Sequence, residues 1–375
     1  MEKTDRISYL IVGSGYRAEF YGRIARRYPE LFRAAFLCRS EEKAALMRSR
    51  TGIAALTSPE EGEAFRPDFA VIAVNKTSIC SVAEEWVQRG FPVMTETPCG
   101  MTEEELKRLW TLHCQGARIT TAEQYHRYPG LIAGLEAVRE GRIGTPYFAY
   151  LSLVHDYHAA SLFRRMLRAD GESFTLRGSR MKSPLTVTDS RNGAVYDGHQ
   201  ADEVRDTVII DFDSGKRAVY DFSGSQYHSF LRSRHLVVRG EKGEWNDNLL
   251  YIWREAQVRY PDKENPDASQ EKAAGVPVTE CLLPVILEKY RALDTPEMRD
   301  IRKVWRPELH LDNAQDEFAI ASMLFDMINC LHGSKEVYPL REALADAYFR
   351  ILMERAFSRP WEEIRPDRMP WDSEE

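Results

Sequence analysis

Short apolar segments alternate with helix-like segments through the first third of the chain. Ile7–Val12 and residues 69–74 are apolar runs with the length and branched side chains of buried parallel strands. Residues 18–28 and 79–89 carry apolar side chains at helical spacing. Strands that alternate with helices in this way predict a parallel sheet with helices on both of its faces.

After about residue 125 the pattern changes to strand candidates that follow one another without helices between them. Asp213, Ser214 and Gly215 separate two of these candidates and are typical of a hairpin turn. The candidates lie at residues 147–154, 173–177, 207–212, 217–222 and 235–239. Residues 261–277 predict an exposed loop, and helices are expected at 313–331 and 340–356. The second part is therefore predicted to be an α+β domain with an open, mainly antiparallel sheet.

A glycine turn follows the first strand, with Gly13, Gly15 and Ala18 in the order GxGxxA. Gly13 permits a tight turn, Gly15 lets the backbone approach a pyrophosphate, and the small Ala18 lets strand and helix pack closely. The pyrophosphate would lie on the free N–H groups of the helix N-terminus. We therefore expect an α/β fold with an N-terminal Rossmann dinucleotide-binding domain at residues 1–125, followed by the α+β domain at 126–375.

The end of the second strand bears on the choice of coenzyme. A carboxylate there would hydrogen-bond the ribose hydroxyls of NAD, but this chain has Arg39 and Ser40. A guanidinium and a hydroxyl suit a 2′-phosphate, so NADP is preferred over NAD. The alternative is a solvated Arg39 with Glu41 or Glu42 reaching the ribose.

Composition narrows the class of protein and its partners. The chain has 375 residues, 43% hydrophobic and 29% charged, and a formal net charge of −7. This favours a folded protein and argues against nucleic acid as the main partner. No apolar run approaches the ~20 residues of a membrane helix, and the charged start does not suit a signal peptide. With six scattered cysteines and no CxxC pair, we expect a cytoplasmic protein with reduced thiols and no membrane partner.

Several further motifs follow the glycine turn in a fixed order. Ala73-Val74-Asn75 comes after one strand and Glu96-Thr97-Pro98 after another. Residues 123–129 (EQYHRYP) and 140–144 (EGRIG) complete the order. Over nearly the whole chain this order resembles that of the Gfo/Idh/MocA (glucose-fructose oxidoreductase / inositol dehydrogenase / rhizopine catabolism protein) family, whose members bind a small-molecule substrate.

This resemblance implies hydride transfer between NAD(P) and a sugar, cyclitol or related hydroxyl compound. It also implies that the second domain forms the substrate pocket and the subunit interface of a homodimer or homotetramer. The residues expected to bind the coenzyme are Gly13, Ser14, Gly15, Tyr16, Arg17, Ala18, Arg39, Ser40, Val74, Asn75, Glu96, Thr97 and Glu123. Tyr125, His126, Arg127 and His155 are expected to bind substrate.

The chain departs from the family at two charged positions. Thr97 stands where the family has the lysine of Glu-Lys-Pro, whose charge would stabilise a developing alkoxide. Val154 stands at the position of an aspartate four residues before a histidine, and that histidine is kept as His158. An imidazole exchanges protons near neutral pH, so we predict His158 as the acid/base, with Thr97 and Tyr157 as further catalytic candidates.

Other interpretations remain open at this stage. His155 and His158 supply two metal ligands at most, and a third would be needed, so no metal is expected. The same scaffold also supports imine reduction and redox-assisted lyase or glycosidase chemistry. Because two charged positions are lost, a nucleotide-binding protein without dehydrogenase activity is a further alternative.

Overall fold

The N-terminal domain is built on a six-stranded parallel sheet in the order β3-β2-β1-β4-β5-β6. The structure is a computed structural model that describes residues 6–190, 193–261, 269–282, 312–336, 338–366 and 369–372. The elements of this domain are β1 (Ile7–Val12), α1 (Tyr16–Arg27), β2 (Phe32–Leu37), α2 (Glu41–Thr51), β3 (Ala54–Leu56), α3 (Pro59–Ala64), β4 (Phe69–Ile72), α4 (Ile79–Gln88), β5 (Val93–Thr95), α5 (Glu103–Cys114) and β6 (Ile119–Thr121).

The predicted parallel sheet is confirmed, and its strands are apolar because helices cover both faces. All residues of β1 and β4 are buried. The short β3 and α3 were not predicted. Ser58 begins α3 with a capping box in which its hydroxyl accepts from the Glu61 amide while the Glu61 carboxylate accepts from Ser58.

The second domain is a mixed, mostly antiparallel eight-stranded sheet in the order β16-β15-β14-β13-β7-β12-β11-β8. Only the β7–β12 pair within this sheet is parallel. The elements are α6 (Pro129–Arg139), β7 (Pro146–Ser152), α7 (Asp156–Leu167), β8 (Phe174–Thr186), β9 (Asp189–Ser190), β10 (Gly193–Ala194), β11 (Gln200–Phe212), β12 (Arg217–Ser223), β13 (His235–Gly240), β14 (Gly243–Asn246), β15 (Leu249–Pro261), β16 (Ser269–Cys281), α8 (Asp312–Leu331) and α9 (Leu340–Ser358). The predicted α/β fold class is thereby confirmed.

Two predictions for this domain were wrong. Helix α7 lies between β7 and β8, where only strands were expected; it is packed between the sheet and α9, so nine of its twelve residues are buried, among them the polar His158, Ser161 and Arg164. Residues 269–277 lie in β16 rather than in a loop, because this segment pairs antiparallel with β15 along the length of both strands. Pro261, the first residue of that predicted loop, is the last residue of β15, and residues 262–268 lie outside the described residues.

The C-terminal helices connect the two sheets. Helix α8 packs against α1, where Glu317 accepts hydrogen bonds from Arg23 (2.8 Å) and Arg27 (3.0 Å). Helix α9 packs on α7 and β8, and Asp346 of α9 pairs with the buried Arg164 of α7 at 2.6 Å. Part of the second half of the chain is thus folded onto the nucleotide-binding sheet and reaches its carboxyl edge.

Candidate active site

A long crevice of about 1160 Å³ runs along the carboxyl ends of β1, β2, β4 and β5 and continues against the second domain. Ligands of parallel α/β sheets bind at this edge of the sheet. One end of the crevice is lined by the glycine turn after β1 and by Arg39. The other end is lined by His155, Tyr157 and His158 of the second domain. The crevice therefore has a nucleotide end and a catalytic end.

The nucleotide end begins at the predicted glycine turn. Gly13 has φ +135°, and a Cβ there would lie 2.2 Å from the Ala73 carbonyl oxygen, so only glycine fits. A Cβ at Gly15 would meet no described atom within 4 Å, since this glycine faces the open crevice and precedes α1. Ala18 is fully buried against the sheet. The turn thus presents free α1 amides to the crevice, as a pyrophosphate requires.

The residues after β2 place positive charge beside the nucleotide end. Arg39 and Lys43 both line the crevice. The Ser40 side chain instead caps α2 by accepting from the Lys43 amide at 3.3 Å. The Glu41 carboxylate, the alternative ribose ligand, pairs with Arg48.

Arg17 connects the two ends of the crevice. Its guanidinium pairs with Glu96 at 3.3 Å and with Asp316 of α8 at 3.3 Å. Glu96 also accepts a hydrogen bond from the buried Tyr21 hydroxyl at 2.7 Å. Arg17 Nη2 is buried and has no hydrogen-bond partner among the described residues, so this donor is left for a bound molecule.

His158 and Glu123 form a buried pair at the catalytic end. His158 Nδ1 lies 2.5 Å from Glu123 Oε2, and the side chains are 4% and 1% exposed. Burial raises the pKa of Glu123 to about 8 and lowers the pKa of His158 well below its usual value. At neutral pH the pair therefore favours a neutral imidazole beside a neutral carboxyl group, with one proton between them.

Aromatic hydroxyls and a second histidine surround this pair. The rings of Tyr157 and His155 lie 4.4 Å and 4.8 Å from the His158 ring. His155 contacts the Tyr227 hydroxyl through Nδ1 at 2.7 Å and the Tyr157 hydroxyl through Nε2 at 2.9 Å. Tyr157 also donates to the Thr97 carbonyl at 3.3 Å, which brings the predicted catalytic residues together.

The remaining predicted site residues divide between the crevice and the protein interior. Those on the crevice wall are Ser14, Tyr16, Val74, Asn75 and Tyr125. Glu123 lies behind His158 rather than on that wall. His126 is buried against Tyr338 with ring centroids 5.3 Å apart, and Arg127 points to α8, where it pairs with Asp326 and donates to Ser322 at 2.8 Å.

Sequence reasoning did not assign Tyr128, Tyr227, His228 and Asp316 to the site, although all four line the crevice. The Tyr128 hydroxyl donates to Asp316. Asp316 is far from Tyr128 in the sequence, and no motif marks it as a site residue. Tyr227 and His228 follow β12 in a short 3₁₀ turn. Only the parallel β7–β12 pairing, which the strand pattern does not reveal, brings this turn to His155.

The described residues contain no cluster of three His, Cys, Asp or Glu side chains suited to a metal ion. Within the same ranges, no helix has the length and apolar character that crossing a membrane would require.

The parallel sheet, the glycine turn and the crevice define a dinucleotide-binding protein with a second domain at the catalytic end. Residues 7–122 match the family model described as "Oxidoreductase family, NAD-binding Rossmann fold". The chain thus carries the NAD-binding Rossmann domain of the Gfo/Idh/MocA family model over residues 7–122, which confirms the resemblance found in the sequence.

Solved structures share the fold over nearly the whole chain. An oxidoreductase from Agrobacterium radiobacter, in complex with NAD+, L-tartaric acid and magnesium, is 12% identical with a TM-score of 0.65, covering 96% of this chain and 98% of that one. The WlbA dehydrogenase from Bordetella pertussis, in complex with NADH and UDP-GlcNAcA, is 16% identical with a TM-score of 0.63, covering 97% and 99%. A putative myo-inositol dehydrogenase from Sinorhizobium meliloti is 14% identical with a TM-score of 0.61, covering 96% and 99%. No curated protein sequence matches the chain.

Proposed function

We propose that this protein is an NAD(P)-dependent oxidoreductase of a small polar hydroxyl compound, a sugar or cyclitol derivative, with His158 as the acid/base. The observation that carries the proposal is the 2.5 Å contact between His158 Nδ1 and Glu123 at the catalytic end of the crevice. It gives the imidazole a proton-sharing partner on one nitrogen, so the other nitrogen, Nε2, is available to a substrate.

The nucleotide end fits a dinucleotide. The open amides after Gly15 suit the pyrophosphate, and the unpartnered Arg17 Nη2 offers a donor to a phosphate or ribose oxygen. When bound, the nicotinamide supplies the hydride chemistry, which no amino-acid side chain provides. Arg39 and Lys43 would meet a 2′-phosphate, which supports NADP as the preferred coenzyme and NAD as the second choice.

The residues of this chain then bind the substrate and move its proton. Oxidation starts from the form of the pair with a Glu123 carboxylate and an Nδ1–H imidazole: His158 Nε2 accepts the hydroxyl proton while Nδ1 gives its own proton to Glu123. In the reduction direction the two transfers reverse. Tyr157 is held against the Thr97 carbonyl and orients the substrate beside His158. Thr97 adds no charge. His158 and Glu123 therefore act in place of the lysine and the aspartate that the family has at the positions of Thr97 and Val154.

The catalytic end also indicates the class of substrate. Its wall presents hydroxyl, imidazole and carboxamide groups from Gln124, Tyr125, Tyr157, Tyr227 and His228. Such groups exchange hydrogen bonds with several hydroxyls of a neutral polyol. The structural neighbours named above include complexes with UDP-GlcNAcA and L-tartaric acid, which are also polyhydroxylated compounds.

Two measurements test this function. Quenching or a shift of NADPH and NADH fluorescence by the purified protein measures coenzyme binding. Turnover is then measured with sugars, inositols and sugar acids in both directions. His158→Ala is expected to lower kcat by ~10²–10⁴-fold with coenzyme affinity kept, whereas His199→Ala, an exposed histidine on the β10–β11 connection, leaves both unchanged. Turnover that survives in His158→Ala would refute the assignment.

A nucleotide-binding protein without dehydrogenase activity is the second candidate, because Thr97 cannot supply the charge of the family lysine. Tight coenzyme binding with no turnover of any tested compound would favour it. Imine reduction and redox-assisted lyase or glycosidase chemistry remain alternatives on the same scaffold, and product analysis separates them. The homodimer or homotetramer, the cytoplasmic location and the domain division at residue 125 stay predictions.

A further inference from the structure

A second, much smaller cavity lies on the far side of Glu123 from the crevice. Its volume is about 30 Å³, and it lies between the ends of β5 and β6, helix α8 and Tyr338. Glu123, Arg127, Asp326 and Glu336 contribute its polar wall. The crevice and this cavity are therefore separated by one buried carboxyl group and the imidazole that it contacts.

This small cavity has the size of a water site, and polar groups line part of its wall. A volume of this size holds one or two water molecules, and water occupies such a space only where polar groups receive it. Arg127 Nε is buried and has no hydrogen-bond partner among the described residues, while Asp326 Oδ2 pairs with the Nη2 of the same arginine. One donor that lacks a partner and two further carboxylates, Asp326 and Glu336, thus line the same space as Glu123.

We propose that Glu123 is a proton relay that connects His158 in the crevice with water in this second cavity. In substrate oxidation, the substrate hydroxyl proton goes to His158 Nε2, and the Nδ1 proton goes to the Glu123 carboxylate. The carboxylic acid then gives this proton to cavity water, which restores the number of protons on the pair, and a 180° turn of the imidazole ring brings its remaining N–H back to the Glu123 carboxylate for the next cycle. The inference rests on the proposed function, because a relay is needed only if His158 exchanges protons with a substrate.

The geometry explains why the proton needs an exit that is separate from the crevice. His158 is 4% exposed, and the exposed part of its ring faces the crevice. A coenzyme and a substrate would fill that crevice and exclude solvent from Nε2. A proton released there would be trapped beside the ligands, whereas the Glu123 side of the pair opens to a different space.

Charged and titratable groups on several elements face Glu123. Burial is the largest cause of its raised pKa of about 8; Arg165 and Arg17 lower this pKa, Glu96 raises it, and the Tyr125 amide lowers it by donating at 3.1 Å. The other groups close enough to interact are Arg127, Tyr157, His158, Asp326, Glu336, Tyr338 and Asp346. The pair thus gains or loses its proton near neutral pH, as a relay requires.

The pH dependence of the oxidation and reduction rates follows from the protonation state of the His158–Glu123 pair that each reaction requires. Oxidation needs the carboxylate as acceptor, so its rate rises as pH increases through about 8. Reduction needs the protonated pair, so its rate falls over the same interval. In Glu123→Gln the amide still holds the imidazole but cannot ionise, so the step near this pH disappears.

The first experiment follows the proton without turnover. Protein labelled with ¹⁵N at histidine is titrated by NMR, and the carboxyl band is followed by infrared difference spectroscopy. The wild type is expected to show a coupled transition of His158 and a buried carboxyl group near pH 8, and Glu123→Gln is expected to lose both signals of that transition. If Glu123 only orients the ring, the His158 titration persists in Glu123→Gln, and the relay is disproved.

The second experiment tests the exit. Cys330, which lines the small cavity, is replaced by leucine to fill it, and Cys330→Ser is the matched control that keeps the space. With the crevice saturated with NADH, we expect the solvent exchange of the His158 ring proton to slow at least ~10-fold in Cys330→Leu and to stay unchanged in Cys330→Ser. Thermal unfolding verifies that both variants fold. Equal exchange in both would overturn the cavity route, while failure of NADH to bind would instead count against the proposed function.

Discussion

The two ends of the crevice are built in different ways. At the nucleotide end, one contiguous segment of strand, turn and helix supplies backbone amides, and the decisive residues are glycines. At the catalytic end, side chains converge from the turn after β6, the start of α7, the 3₁₀ turn after β12 and helix α8. The first end therefore depends on local backbone shape, and the second depends on how distant segments pack.

This difference predicts how each end responds to change. A change at the nucleotide end acts on coenzyme affinity through the backbone, whichever substrate is present. A change at the catalytic end acts through buried charged side chains that pair with one another. The loss of one side chain therefore leaves its partner buried and unpaired. Substitutions that separate coenzyme binding from turnover test the comparison directly.

The largest effect is expected at Gly13. Gly13→Ala places a Cβ 2.2 Å from the Ala73 carbonyl oxygen and keeps a positive φ, so the turn must move. Strain of this kind costs on the order of 1–3 kcal/mol, which corresponds to a loss of coenzyme affinity of up to ~10²-fold. Titration calorimetry with NADPH and NADH measures this loss.

Gly90→Ala is the matched control, because Gly90 also has a positive φ, but its Cβ would meet no described atom within 4 Å. It is expected to lower the free energy of unfolding by roughly 1–2 kcal/mol and to leave coenzyme affinity unchanged. Unaltered affinity in Gly13→Ala would mean that the turn does not bind the pyrophosphate.

A smaller effect is expected from Asp316, which joins the two ends. Asp316→Asn removes the negative charge that faces Arg17 and leaves Tyr128 only a neutral amide oxygen as acceptor, and hydrogen bonds to charged groups contribute about 1.5–3 kcal/mol. We expect kcat/KM to fall by ~10-fold or more, with a smaller change in coenzyme affinity. Steady-state kinetics and calorimetry provide the two values.

The neighbouring Glu317→Gln serves as the control, because Glu317 pairs with Arg23 and Arg27 on the outer side of α1 rather than with the crevice. It is expected to change stability alone. If both variants lower kcat/KM equally, Asp316 acts only through the packing of α8.

The sequence predicted most of the nucleotide end and, at the catalytic end, His155, Tyr157 and His158, but not the contacts and distant segments that complete the catalytic end. β1, the glycine turn and α1 are contiguous, so apolar periodicity and glycine position suffice to place them. The role of Glu123 was different: it was expected at the coenzyme, but the fold places it beside His158, 35 residues away. No local pattern encodes this contact, because it depends on the approach of α7 to the end of β6.

Two elements of the second domain, α7 and β16, were also not recognised in the sequence. Helix α7 contains histidine and arginine among its apolar residues, which hides its burial in the sequence. Arg164 is nevertheless buried, because Asp346 is its ion-pair partner. The polar composition of residues 269–277 indicated a loop, but pairing with β15 holds the segment in a strand. In both places tertiary contacts outweigh local propensity.

The smallest effect, and the sharpest test of the nucleotide end, concerns Arg39. Arg39→Asp replaces a crevice-lining cation with an anion where a 2′-phosphate would lie. Loss of a charge-assisted contact is expected to weaken NADPH by ~10-fold while NADH affinity stays constant. Arg50→Asp, on the helix α2 that follows Arg39 but paired with Glu19 away from the crevice, controls for the general effect of reversing a charge. Because NADPH and NADH differ only in that phosphate, an equal loss for both would assign Arg39 to the shared adenosine portion instead and remove the reason to prefer NADP.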